Sequence, residues 1–214
     1  MDFYDVLEKR RSIRDFQPKP VEEEKLLRVI DAGLKAPTHN HQREWEFILL
    51  RNIEGRKEIL KVEPSSHNFS SEEINEWTEG VTDQLEKEMY LKALPIQKRM
   101  LLSAPEVLII CFKMRKSLEN CKTLFDLNSF ASVWCCIENI LLAMAAEGLY
   151  GVTKIPYDTV GLKKALNIPK EYEVAAIIPI GYPGKHVIKQ KPVAPRQKMH
   201  YERWGETREA QKTL

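Results

Sequence analysis

Residues 8–16, EKRRSIRDF, put three arginines and a lysine between positions 9 and 14, with only a serine and an isoleucine among them. Upstream, Phe3, Val6 and Leu7 share one face of a short helix starting near Asp2, while Pro18 and Pro20 stop any helix from running much past Phe16. Arg10 and Arg11 then fall in the last helical turn, where the helix dipole favours each cation by about 0.3–1 kcal/mol. Ser12 and Arg14 are not explained that way. In an extended segment residues 10, 12 and 14 project to one side, which sets a hydroxyl between two guanidinium groups. Such a set suits an anion with several oxygens, and phosphate is the natural guest. A capped helix with a solvated basic edge accounts for the same residues, so both readings stand at this point.

The composition bounds the alternatives. A chain of 214 residues with 43% apolar side chains can bury one sizeable core, so a single domain over 1–214 is expected. The 33 basic residues nearly balance 31 acidic ones, which gives no general attraction to nucleic acid. The basic residues of the tail at 185–198 are not interleaved with aromatics either. The runs VLIICF and ILLAMAA fall well short of the roughly 18 residues of a membrane span, and the opening MDFYD is unlike a secretory signal. The expectation is a cytosolic protein with neither membrane nor nucleic acid as partner. Cys111, Cys121, Cys135 and Cys136 show no C-x-x-C spacing, which points to buried reduced thiols rather than disulfides or metal ligands.

Helices and strands alternate loosely along the chain. Pro20, the acidic turn Glu22–Glu24 and apolar Leu26, Leu27, Ile30 and Leu34 predict a helix over 21–35. WEFILL (45–50) reads as a buried strand, followed by a short helix near 54–62. Ser70 and Glu73 have capping-box spacing for one long helix reaching about Leu102, and the polar stretch before it is a candidate lid. Within this insert the aromatics Phe69, Trp77 and Tyr90 are candidates to line a pocket, with burial in the core as the alternative reading. The strand EVLIICF (106–112), an apolar core helix over 129–147, the strand YGVTKI, the small helix TVGLKKAL and the strand YEVAAIIPIGYP (172–183) complete the predicted elements. Neither G-x-G-x-x-G nor a Walker loop is present, which removes the usual sign of a dedicated nucleotide domain. After Gly184 the chain is charged and aperiodic, with scattered Val193, Met199, Tyr201 and Trp204, so it needs a prebuilt surface to lie on.

Four collinear stretches, RRSIRDF, APTHNHQREWEF, ENILLAMAAEGLYGV and AAIIPIGYPGK, resemble the nitroreductase family of FMN-dependent oxidoreductases over nearly the whole chain. The resemblance implies an α+β fold with a mixed central sheet flanked by helices. It also implies a homodimer with non-covalent FMN at the interface and an extended arm (184–214) crossing to the partner. In the family's manner the protein would take hydride from NAD(P)H and reduce a small electron-poor acceptor, a nitroaromatic or quinone, by a ping-pong mechanism. Specialised members of the same fold that dehalogenate aromatics, cleave flavin or oxidise azolines are alternatives, as is a non-catalytic FMN-binding protein.

The same resemblance implies the site residues. Arg10, Arg11, Ser12 and Arg14 match the segment holding flavin phosphate, ribityl chain and pyrimidine edge, with Arg14 placed to stabilise charge at the flavin N1/O2 edge. The loop Pro37, Thr38, His39, Asn40, His41, Gln42 and Arg43 matches the one reaching the flavin across the dimer, but departs from the family pattern A-P-S-x-x-N-x-Q-P-W. Asn40 and Gln42 stand one place early, so His41 and Arg43 are alternative occupants. A metal role for the two histidines lacks a third ligand nearby. GVTKIP matches the stretch whose backbone N–H faces flavin N5. Pro156 has none, which leaves Thr153, Lys154 or Ile155, with Lys154 and Ile155 preferred and a strand-end cation as the alternative reading of Lys154. Gly148 and Gly151 fit turns beside the flavin ring, with a helix C-cap as the alternative reading of Gly148, and Arg196, with Lys198 second, is the tail cation that would return to the phosphate.

Overall fold

The computed structural model describes residues 2–63, 70–185 and 194–206. Four strands form the sheet: β1 (Trp45–Leu50), β2 (Glu106–Lys113), β3 (Tyr150–Gly151) and β4 (Tyr172–Gly181), in the order β1-β2-β4-β3. Every ladder between them is antiparallel, and the parallel component of the sheet is the bridge Ser12–Gly151. β2 alternates strictly. Leu108, Ile110 and Phe112 point into one core, and Val107, Ile109 and Cys111 point into the other. The unbroken apolar run from Val107 to Phe112 is what two covered faces demand. A bulge opposite Ile110/Cys111 puts both Ala175 and Ala176 of β4 on the first face.

Helices cover both faces. The first core lies under α2 (Glu23–Leu34) and α6 (Asn128–Ala146), which pack on each other. Gly33 allows the close approach, since a Cβ there would meet Ile140 Cγ1 at 2.7 Å. The second core draws on α3 (Ile53–Leu60), α5 (Gln84–Ser103) and α7 (Thr159–Ala165), through Ile59, Met100, Leu101 and Leu162. The helix expected to run unbroken to Leu102 is two helices, α4 (Ser71–Thr78) and α5. Gly80, at φ 78°, turns the chain, and Asp83 caps α5 by accepting from the Glu86 N–H.

The N-terminal helix α1 (Phe3–Lys9) also ends earlier than its charge pattern suggested: Arg10 is its C-cap and Arg11 lies outside it. α1 rests against α6 but leaves Phe3, Tyr4 and Leu7 exposed. By length and composition Leu124–Ala146 could cross a membrane, a longer stretch than the apolar runs read from the sequence. Here one side of α6, including Val133, Ile137, Ile140 and Met144, is buried in the first core. The other side leaves Ala131, Cys135, Glu138 and Ala146 exposed along a single stripe. The four thiols are free, as expected, but only Cys111 and Cys136 are buried; Cys121 is half-buried and Cys135 exposed. Burial pushes the Cys111 thiol up to about 11 and the Cys136 thiol up to about 12, so neither supplies a thiolate at neutral pH.

Candidate cofactor-binding site

The basic segment leaves α1 in an extended path along the outer edge of the sheet. Ser12 bridges Gly151, the Ile13 N–H donates to Gly151 O (3.0 Å), the Gln17 N–H donates to Tyr182 O (3.0 Å), and Phe16 bridges Pro183. Buried Ile13 and Phe16 anchor it in the second core. Between these anchors Arg14 is half-buried, and burial holds its guanidinium below its ordinary value. Its Nε is buried without a hydrogen-bond partner among the described residues. Nor does any described ion pair occupy Arg10, Arg11 or Arg14, whereas Arg28 and Arg51 are both matched to glutamates. A buried guanidinium N–H with nothing to donate to costs about 1–3 kcal/mol, so an acceptor is missing at this corner.

Beside it runs 151–158. Gly151 stands in β3 and not in a turn, and packing requires a glycine there, because a Cβ would collide with Pro179 O. Gly148, at φ 72°, ends α6: the Leu149 N–H donates to Met144 O (2.8 Å) in a Schellman-type cap. The preference for Lys154 as backbone donor to a cofactor needs correction. Its N–H donates to Ile177 O (2.9 Å), and its ammonium pairs with Glu63. The N–H groups of Thr153 and Ile155 donate to no described residue, and Ile155 is exposed. Glu63, which the sequence reading passed over, is wholly buried and also accepts from the Tyr157 N–H (2.7 Å). A lone glutamate after a short helix carries no local signal of such a role.

The loop at 37–43 lies elsewhere. His39–His41 form a 3-10 turn with Asn40 and His41 at positive φ, 52° and 56°. The Thr38 hydroxyl donates to Gln42 O, the His39 N–H donates to Ser132 Oγ (2.9 Å) in the first turns of α6, and Arg115 Nε donates to Gln42 Oε1 (3.3 Å). Ser132 and Arg115 are partners the sequence did not reveal. Thr38, His39, Gln42 and Ser132 line a small hollow beside Trp45. No group of three or more candidate metal ligands exists among the described residues.

This loop and the basic segment flank opposite edges and opposite ends of the sheet. Trp45 pairs with Phe112 on β1, while Gly151 pairs with Ile180 on β3. Strand spacing and rise put these corners about 25 Å apart, too far for one cofactor to touch both within a protomer. α6 joins them, its first turns at His39 and its C-cap beside β3, a span of about 28 Å for its 19 residues. Arg196 and Lys198 sit exposed on a 3-10 turn (Pro195–Lys198), with no described bond to residues 10–14. Phe69, Val193 and the side chain of Trp77 lie outside the described residues. Tyr90 is exposed at 38%, on the helix that the insert contributes.

A profile of the nitroreductase family matches residues 7–182, from α1 to the turn after β4. The chain belongs to the nitroreductase family. Among curated relatives, it is 26% identical to an iodotyrosine deiodinase from Thermotoga neapolitana over 92% of this chain and 94% of that one. It is 27% identical to a Methanothermobacter thermautotrophicus protein named for NADH dehydrogenase/NAD(P)H nitroreductase activity, over 95% and 88% of the two chains. In fold it matches a BluB-like flavoprotein from Clostridium difficile 630 at a TM-score of 0.72, with 19% identity and coverage of 95% and 100%. It also matches oxidised iodotyrosine deiodinase bound to FMN and 3-iodo-L-tyrosine at 0.68, with 24% identity and coverage of 90% and 97%. The expected nitroreductase-like α+β architecture is thus the one observed. The family match stops at Tyr182, so the tail from Pro183 onward is outside it.

Proposed function

We propose that the protein is a homodimeric FMN-dependent oxidoreductase that takes hydride from NAD(P)H and passes electrons to a small electron-poor acceptor, a nitroaromatic or a quinone, by a ping-pong mechanism. The observation that carries this reading is Arg14: a half-buried guanidinium whose Nε has no partner among the described residues, with Ser12 and two arginines that no described ion pair occupies beside it. A phosphorylated, hydrogen-bonding cofactor suits that cluster, as does the membership of the family.

When bound, FMN would supply the two-electron relay between NAD(P)H and the acceptor. Arg10, Arg11 and Ser12 would hold its phosphate. Arg14 would neutralise negative charge gained at the pyrimidine edge, acting strongly because it is already desolvated. The free N–H of Ile155 or Thr153 is the donor left for the ring, since Lys154 has given its own to the sheet. The loop 37–43 would act on the cofactor of the other subunit. A two-fold axis across α6 would bring the N-terminal end of one copy to the C-terminal end of the other, and the 25 Å gap within a protomer would close twice between protomers. The exposed stripe on α6 and the exposed side chains of α1 are the surfaces for that contact. Arg196 or Lys198 would add a tail cation near the phosphate. Free thiols suit action in a reducing compartment such as the cytosol.

The test is spectroscopic. Purified protein should be yellow, release FMN on denaturation, bleach with NADH or NADPH under anaerobic conditions, and recover its colour on adding a nitroaromatic or quinone. Arg10→Ala should weaken FMN binding by about 1.5–3 kcal/mol, the loss of a charge-assisted hydrogen bond. A colourless protein that takes up no added FMN would defeat the assignment. A second reading, reductive dehalogenation of a halogenated aromatic, is favoured by the likeness to the Thermotoga deiodinase over nearly the full length of both chains. It requires halide release from 3-iodo-L-tyrosine by the reduced protein, together with slow turnover of nitroaromatics.

A further inference from the structure

We infer that Glu63 is a positioning residue for the cofactor: it shapes the 154–158 arch that presents the Ile155 N–H, and it cancels the charge of Lys154 behind that arch. This rests on the flavin reading of the preceding section.

Glu63 follows α3, fixed there by its own N–H donating to Ile59 O (2.7 Å). Its carboxylate is fully buried, where a charge survives only with partners. One oxygen pairs with Lys154 Nζ. The other accepts from the Tyr157 N–H (2.7 Å) and, more weakly, from the Asp158 N–H (3.4 Å). The arch is held at three points: Lys154 is bridged to Ile177, Tyr157 is tied to Glu63, and the Asp158 side chain caps α7 by accepting from the Gly161 N–H (2.8 Å). Ile155 stands between these anchors with an uncommitted N–H, next to a proline that has none. Such rigid support is what a hydrogen bond to a cofactor ring needs, since a loose donor loses its geometry.

The second effect is electrostatic. Lys154 is neighbour to the Ile155 donor, and an uncompensated ammonium there would stabilise the negative charge a flavin gains on reduction and raise its potential. Paired with a buried carboxylate, the lysine presents little net charge, which leaves Arg14 as the cation that sets the redox poise.

The variants separate these effects. Glu63→Gln keeps an acceptor for the Tyr157 N–H but removes the charge, so the midpoint potential of bound FMN should move in the positive direction. Lys154→Met should not raise it, and the Glu63→Gln/Lys154→Met pair should return it toward the wild-type value. Glu63→Ala removes the acceptor as well. In protein without flavin, the Tyr157 amide should then exchange about tenfold faster, with protection in β2 and β4 retained. An unmoved potential in Glu63→Gln overturns the electrostatic part; unchanged exchange in Glu63→Ala overturns the positioning part. The exchange arm needs no cofactor, so it gives its answer even if FMN fails to bind. If Glu63→Ala does not fold, Glu63→Gln must still retain Tyr157 protection, and its loss also counts against the assignment.

Discussion

Arg14 shows how one residue's burial separates stability from function. A desolvated guanidinium whose Nε has no partner among the described residues is a local cost to stability, and an acceptor brought by a ligand would offset it. Arg14→Met, which keeps the apolar stem and loses the head, should leave the flavin-free protein as stable or more stable by about 1–2 kcal/mol. The same change should weaken FMN binding and shrink the rise in melting temperature that FMN produces. Thermal melts with and without FMN check both; a destabilised flavin-free variant would mean that Arg14 already has its partner. The arginine cluster was legible from spacing alone, because the residues are neighbours in sequence. The partner of Lys154 was not, since Glu63 lies 91 residues away and resembles any surface glutamate until the fold buries it.

At the scale of elements, the 3-10 turn Leu124–Leu127 ahead of α6 holds Leu124 and Phe125 out into solvent, with Phe125 edge-on to His39 at 5.2 Å. Asp126 fixes this turn, accepting from Lys116 Nζ (2.6 Å), the Lys122 N–H (3.0 Å) and the Thr123 N–H (3.1 Å). The Lys116 hydrogen bond, followed by the backbone donors, holds its carboxyl well below the usual carboxylate range. A depressed value in the folded state means stability that is fully present above the unfolded value near 4 and is lost as pH falls below it. Melting temperature should therefore drop with acid below about pH 4, and Asp126→Asn should flatten that part of the profile while lowering stability at pH 7. An identical acid limb in the variant would assign it to other carboxylates. Helix caps of this kind, and the apolar run Val107–Phe112 in β2, are local patterns and could be read in advance. The break between α4 and α5 was missed because the capping signal at Ser70–Glu73 says where a helix starts, not how far it runs, while Gly80 and the second capping pattern at Asp83–Glu86 mark the break.

For the whole molecule, assembly and cofactor retention should be one equilibrium, because in the proposed dimer the two halves of the site would come from different protomers. Cys135→Arg places a large cation in the middle of the exposed α6 stripe. It should yield monomers that have lost FMN, read together by light scattering and absorbance. Truncation after Gly184 should act in the same direction, giving a protein that dissociates more readily and loses flavin with it. A truncated chain that stays dimeric with full flavin content would make the tail a solvated appendage. By itself the sequence determined what depends on near neighbours: the basic cluster, the caps, the two-sided strands, the all-round apolar helix and the order of motifs that marks the family. Only the tertiary structure decided that Lys154 has committed its N–H while those of Thr153 and Ile155 meet no described acceptor, that Gly151 answers to packing against Pro179, and that the loop at 37–43 stands about 25 Å from the arginines. Each of these follows from contacts between residues far apart in the chain. Spacing along a sequence reports which side chains share a face, and only the packed sheet reports which backbone groups it has already used.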